Sequence, residues 1–182
     1  MSRQPRIALS LIAALLLSAT ALAVSGCGYS SSSKDVVEGQ PVKLGDVKYN
    51  VVFSRFLNPN DTEDSAYLVG QPPPPPGSTY FGVFFQVKDE GEEARPLPKS
   101  FTITDASEQN YESIPSESLY AFPLGGEVET EEWVPVLDST PQQGPIAGSL
   151  VLFRMPAASS ESRPWTLTIT GPEGPAKVKL DV

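Results

Sequence analysis

Reactive side chains are scarce in this chain and unevenly placed. Cys27 is the only cysteine, and there is no histidine among 182 residues. The commonest general base and the commonest metal ligand are therefore missing, and a lone thiol closes no intramolecular disulfide. The neighbours of Cys27 are more informative. Val24, Ser25 and Gly26 set one aliphatic and two small residues directly before it.

The other chemical candidates are weaker. Ser31 and Lys34 have the Ser-x-x-Lys spacing of serine acyl enzymes, but nothing resembling the partner motifs of those enzymes follows. Asn58 to Asp64 gathers oxygen ligands as calcium loops do, yet Glu63 and Val69 stand where such a loop needs Gly and Glu. That segment is expected to be a solvated turn. Glu127, Glu129 and Glu131 would share one face of a strand, where like charges repel unless a cation or basic partner intervenes. They read as an exposed acidic edge that discourages aggregation. No cofactor or metal site is expected. A carboxylate pair for glycoside hydrolysis depends on three-dimensional spacing and stays open as an alternative.

The segment leading to Cys27 explains that cysteine. Arg3 and Arg6 open the chain, and Ile7 to Val24 is an uncharged, mostly aliphatic run. A positive start, an apolar stretch and small residues before a cleavage point make a secretory signal. Val24-Ser25-Gly26-Cys27 resembles the lipobox of bacterial lipoproteins. The resemblance implies cleavage before Cys27 and lipid on its sulfur, and two or three acyl chains give stable anchoring. An uncleaved membrane span is the competing reading.

Residues 1–26 are thus expected to be the signal, beginning with a helix, and 27–41 a lipidated cysteine with a flexible, serine-rich tether. Residues 42–182 form the domain. Removing the signal leaves 156 residues and takes the net charge from −9 to −11. Such acidity argues against nucleic-acid partners and suits cations or basic ones.

Within the domain the pattern alternates. Val47, Tyr49, Val51 and Phe53 are spaced by two, as are Phe81, Val83, Phe85 and Val87. Phe101 and Ile103, Tyr111 and Ile114, Trp133 to Val136, Leu150 to Phe153, Trp165 to Ile169, and Val178 to Val182 suggest further short strands. Pro135 favours an edge position for its strand. With 19 prolines and no sustained helical period, the prediction is an all-β, antiparallel, immunoglobulin-like sandwich of about seven to nine strands.

The order Tyr49-x-Val51, Phe81 to Val87, Leu97, Phe101 to Asp105, Tyr111, Gly125-Gly126, Gly148 to Pro156 and Leu167-x-Ile169 carries a further resemblance. It resembles the immunoglobulin-like domain of unknown function found in Gram-positive, especially actinobacterial, lipoproteins. That domain is similar in fold to a small secreted mycobacterial antigen. The family usually has Asn where Asp89 stands and Gly near Ser107. The resemblance implies a fold and an exported, anchored habit, and no catalytic residues.

Two features remain. Pro72 to Pro76 is a pentaproline, a stiff polyproline connection that could also dock in an aromatic groove. Tyr49, Phe53, Phe81, Phe85, Phe101, Trp133, Phe153 and Trp165 are expected in the core. Tyr67, Tyr80, Tyr111, Tyr120 and Phe122 are the candidates for an exposed binding patch. Together these readings predict a non-enzymatic, membrane-anchored extracytoplasmic protein that binds a protein or envelope polymer. A hydrolase or enzyme accessory and a purely structural envelope protein are the alternatives. Oligomeric state, calcium dependence and the choice of inner or outer membrane stay open.

Overall fold

The computed structural model describes residues 35–182. Twelve strands form there: β1 (Asp35–Val37), β2 (Val42–Leu44), β3 (Val47–Leu57), β4 (Ser78–Asp89), β5 (Arg95–Pro96), β6 (Thr102–Thr104), β7 (Asn110–Ile114), β8 (Glu127–Val128), β9 (Trp133–Val134), β10 (Ser149–Pro156), β11 (Thr166–Gly171) and β12 (Gly174–Lys179). Two short helices, α1 (Thr62–Tyr67) and α2 (Thr140–Gln143), and one 3-10 turn (Ala157–Glu161) join them. The longer strands make the expected β-sandwich frame. The strands beyond the seven to nine expected are ladders of two or three residues.

One layer runs β1-β12-β11-β6-β7 and the other β7-β10-β4-β3-β2, with β9 continuing beside β4 where β10 stops. β7 serves both layers. Asn110 to Glu112 pair with β6, whereas Ser113 and Ile114 pair with β10. The corner is held from both sides: the Phe101 N–H donates to Ser113 Oγ at 3.0 Å, and the Ser113 N–H donates to the Phe101 carbonyl at 2.9 Å.

Alternation places Phe81, Val83, Phe85 and Val87 of β4 in the inter-sheet core. There they meet Ile103, Trp165, Leu167, Ile169 and Val178 from the facing layer. Trp165 is fully buried and donates its indole N–H to the Ser159 carbonyl at 3.2 Å, as a buried indole requires. Burying a side chain of this size is worth about 1.5–3 kcal/mol over leaving it exposed.

The opposite face of β4 is apolar as well. Tyr80 and Phe84 join Leu57, Tyr67, Leu68, Leu150 and Leu152 in a second cluster. Helix α1 supplies its cover. The Asp61 side chain caps that helix by accepting from the Glu63 and Asp64 N–H groups at 2.8 and 3.2 Å. Asp64 itself is buried, bound to the Arg55 guanidinium and accepting the Asn58 N–H at 2.7 Å. The expected solvated turn over Asn58 to Asp64 is therefore a turn leading into a capped helix.

Three further expectations are corrected. The pairing register of β3 with β4 slips between Val51 and Phe53, leaving Val52 as an extra residue. A one-residue slip moves every following side chain to the other face. Ser54 and Phe56 thus turn toward the core, and Phe53 is 44% exposed. Trp133 is likewise no core residue but half-buried. Finally, the chain joins the fold at Asp35 rather than Val42, because β1 pairs in parallel with β12. Glu38 seals that junction, its carboxylate accepting from the Ser54 hydroxyl at 2.5 Å and the Asp181 N–H at 3.1 Å.

Candidate functional site

Cys27, the lipobox residues Val24, Ser25 and Gly26, and the Ser31–Lys34 pair lie outside the described residues. Of the aromatics expected to be exposed, Tyr67, Tyr80 and Phe122 are buried, and Tyr111 and Tyr120 are half-buried. Tyr67 packs edge-on to Phe84 and Tyr120, at ring-centroid distances of 5.0 and 4.8 Å. Tyr80 donates its hydroxyl to the Pro72 carbonyl at 2.6 Å, which moors the exposed pentaproline to β4.

An exposed apolar surface lies elsewhere. A groove of about 350 Å³ is lined by Leu119, Trp133, Val134, Pro135, Val136 and Pro141, with Glu127 and Glu132 on its rim. Leu119 is 81% exposed and Val136 59%; adjoining them in the chain, Leu137 is 58% exposed. Apolar side chains grouped in this way on a surface mark interaction sites.

Backbone bonds dictate these exposures. The Ser118 hydroxyl donates to the Ala66 carbonyl at 2.7 Å and accepts the Tyr120 N–H at 3.1 Å. Leu150 N–H donates to Tyr120 O at 2.6 Å, and Phe122 N–H donates to Leu150 O at 2.7 Å. Residues 118–122 are thus stapled to β10 while Phe122 fills the core beside Phe85 and Phe101. Leu119, between two pinned neighbours, stands out in solvent. On the other wall, Ser139 closes a turn on the Val136 carbonyl, its N–H at 3.2 Å and its hydroxyl at 2.5 Å. That turn, with Asp138 at φ 61°, leaves Val136 and Leu137 outside any strand.

The acidic run borders this groove. It is not the extended face its alternation implies. Only Glu127 and Val128 are in a strand, and a turn follows in which the Glu132 N–H donates to the Glu129 carbonyl at 3.0 Å, with Glu131 at φ 61°. Glu131 instead reaches Lys88 at 2.9 Å. That hydrogen bond, working against burial, holds the Lys88 ammonium above the ordinary lysine pKa. The same ammonium lies 5.9 Å from the centroid of the Trp133 ring. Glu127, Glu129 and Glu132 have no side-chain partner among the described residues.

A second cleft of about 330 Å³ lies between the β2–β3 turn and Arg95, Pro96, Pro172 and Glu173. Arg95 and Asp46 pair across it at 2.5 Å, so those charges already answer each other. Among the described residues no group of three or more His, Cys, Asp or Glu side chains could hold a metal ion. In the segment weighed for calcium, Asp61 and Asp64 are engaged in capping α1 and binding Arg55. What the groove offers chemically is a largely apolar lining, the Trp133 indole and unanswered carboxylates.

Sequence reasoning missed this site because its walls come from residues 119–123, 127–136 and 139–149. Only the acidic run was a signal, and it marked the rim alone.

The fold defines a β-sandwich protein. Its structure is similar to the yjhA protein from Bacillus subtilis, with a TM-score of 0.52, 13% identity, and coverage of 80% of this chain and 99% of that one. It also matches an uncharacterized beta-sandwich protein from Clostridium difficile 630, with a TM-score of 0.49, 14% identity, and coverage of 81% and 93%. A "putative lipoprotein" (ycdA) from Bacillus subtilis subsp. subtilis str. 168 matches with a TM-score of 0.49 and 10% identity, over 79% of this chain and 38% of that one. No protein-family model matches the chain, and no curated protein does. No helix among the described residues is long and apolar enough to cross a membrane.

Proposed function

We propose that this protein is a lipid-anchored extracytoplasmic lipoprotein, held at the cell membrane through Cys27, whose β-sandwich is a non-catalytic binding module of the envelope. The observation that carries the binding role is the groove of Leu119, Trp133 and Val136, where Leu119 and Val136 are more exposed than the apolar side chains Val37, Phe53 and Val69 elsewhere on the surface. The anchor is supported by the run Val24-Ser25-Gly26-Cys27 behind an apolar leader. The resemblance to the immunoglobulin-like domain of actinobacterial lipoproteins supports the same habit. The absence of histidine favours recognition over acid–base catalysis.

Two experiments test the reading. Cys27→Ala is expected to abolish incorporation of labelled palmitate; unchanged labelling removes the anchor. A photo-crosslinking residue at position 137, beside the groove, is expected to capture a partner on intact cells. The same residue at position 177, exposed on β12, serves as the control and is expected to capture none. Equal capture at both positions, or none at either, removes the binding site.

A further inference from the structure

We infer that the groove at Trp133 receives a basic segment of a partner protein carrying an aliphatic or aromatic anchor. The inference rests on the binding-module reading and adds the chemistry of the partner. Two properties of the surface select it. The lining is largely apolar, with Leu119 81% and Val136 59% exposed, so an occupant must bring apolar area to bury. The rim is acidic: Glu127 and Glu132 border the groove, and the turn between them adds Glu129 and Glu131. Of these four, Glu131 is the one that Lys88 answers. A cationic flank on the ligand complements what remains, and such complementarity sets specificity and association rate.

The charge also argues against other occupants. A second copy docking by two-fold symmetry would set this acidic rim against itself, in a chain whose net charge is −9. Anionic envelope polymers meet the same repulsion. A purely polar cation leaves the apolar lining wet. Trp133 suits an anchor contact, because a half-buried indole presents a rigid, amphipathic surface of the type enriched at binding hot spots.

The test uses the full chain in neutral detergent and three labelled synthetic peptides, with binding read by fluorescence anisotropy. The first carries a Leu-Leu pair flanked by lysines. The second replaces the lysines by glutamates, and the third replaces the leucines by serines. The first is expected to bind at least about tenfold more tightly than either other and to weaken as salt rises. Leu119→Ser is expected to weaken it by about tenfold. The double variant Glu127→Gln/Glu132→Gln is expected to lower affinity and flatten the salt dependence. Leu119 and both glutamates are exposed, so the variants should melt with the parent, which is checked alongside. Equal binding of the glutamate peptide overturns the charge preference, and equal binding of the serine peptide overturns the apolar anchor. If no peptide binds while crosslinking from position 137 on cells persists, this inference falls and the binding-module reading stands.

Discussion

The Lys88 ammonium lies 5.9 Å from the centroid of the Trp133 ring and binds the Glu131 carboxylate at 2.9 Å. One cation therefore ties the indole to the turn that forms the acidic rim. Strand β9 holds the backbone of Trp133 against Lys88, and the ammonium caps the ring beside the groove.

Lys88→Met should consequently shift Trp133 emission while leaving Trp165, sealed in the core, unchanged. Glu131→Gln should bring the Lys88 titration back toward the ordinary lysine value, since the carboxylate is what raises it. Tryptophan fluorescence with a Trp133→Phe reference checks the first effect and NMR titration of the lysine side chains the second. An unmoved Lys88 would show that the pair does not form in solution.

Tyr49 yields a prediction at alkaline pH. Burial, and then the nearby Asp89 charge, push its hydroxyl from 10.0 up to about 12. The raised value in the folded state means that the neutral phenol is favoured there. Its contribution is complete below pH 10 and is lost as pH rises from 10 to about 12. Denaturant melts across that range should decline less steeply for Tyr49→Phe than for the parent protein.

Asp89 is fully buried, with one oxygen accepting the Gly91 N–H at 2.9 Å and the other without a hydrogen-bond partner. A buried charge that is not fully satisfied is costly. Asp89→Asn keeps the acceptor for Gly91 and removes the charge, so it should raise stability by about 1 kcal/mol. It should also lower the Tyr49 pKa. Lower stability in chemical denaturation would count against this account.

At acid pH the hairpin between β6 and β7 should be the sensitive point. Asp105 accepts from the Ser107 and Gln109 N–H groups at 2.8 and 3.0 Å and from the Tyr111 hydroxyl at 2.9 Å. Burial opposes its charge, but these bonds prevail and hold its pKa below the ordinary 3.8. The stability they provide is complete above that value and lost as pH falls through the lower folded one. Asp105→Ala should lower the melting temperature at neutral pH by about 5 °C. Its melting temperature should also fall less than the parent's below pH 3.8.

Removing the buried acid of α1 should cost more. Asp64→Ala leaves Arg55 without its partner and the Asn58 N–H without its acceptor. A loss of about 3 kcal/mol follows, with Tyr67 and Leu68 loosened from the outer cluster. Equilibrium denaturation measures the loss, and hydrogen exchange at α1 shows whether it is local.

Much of this fold was legible in alternation. The odd residues of β4 point inward because a pleated strand turns successive side chains to opposite faces, and Phe81 to Val87 follow that rule. Phe53 obeyed the same rule in sequence and broke it in space. The extra residue at Val52 changes the phase of β3, and only pairing with β4 reveals it.

The groove belongs to the same class of facts. The amino-acid sequence by itself determines the alternating strands, the acidic balance, the absence of histidine, and a lone cysteine after an uncharged, mostly aliphatic run. Tertiary structure alone decides which apolar residues stay outside. Leu119 is exposed because its neighbours are bonded to β10 and α1, and Val136 because a turn closes on its carbonyl. Tyr67 and Phe122, more conspicuous in the sequence, are buried because α1 sets Tyr67 against Phe84 and Tyr120 and because Phe122 packs beside Phe85 and Phe101. Burial depends on which distant surfaces meet, and local periodicity carries no record of that.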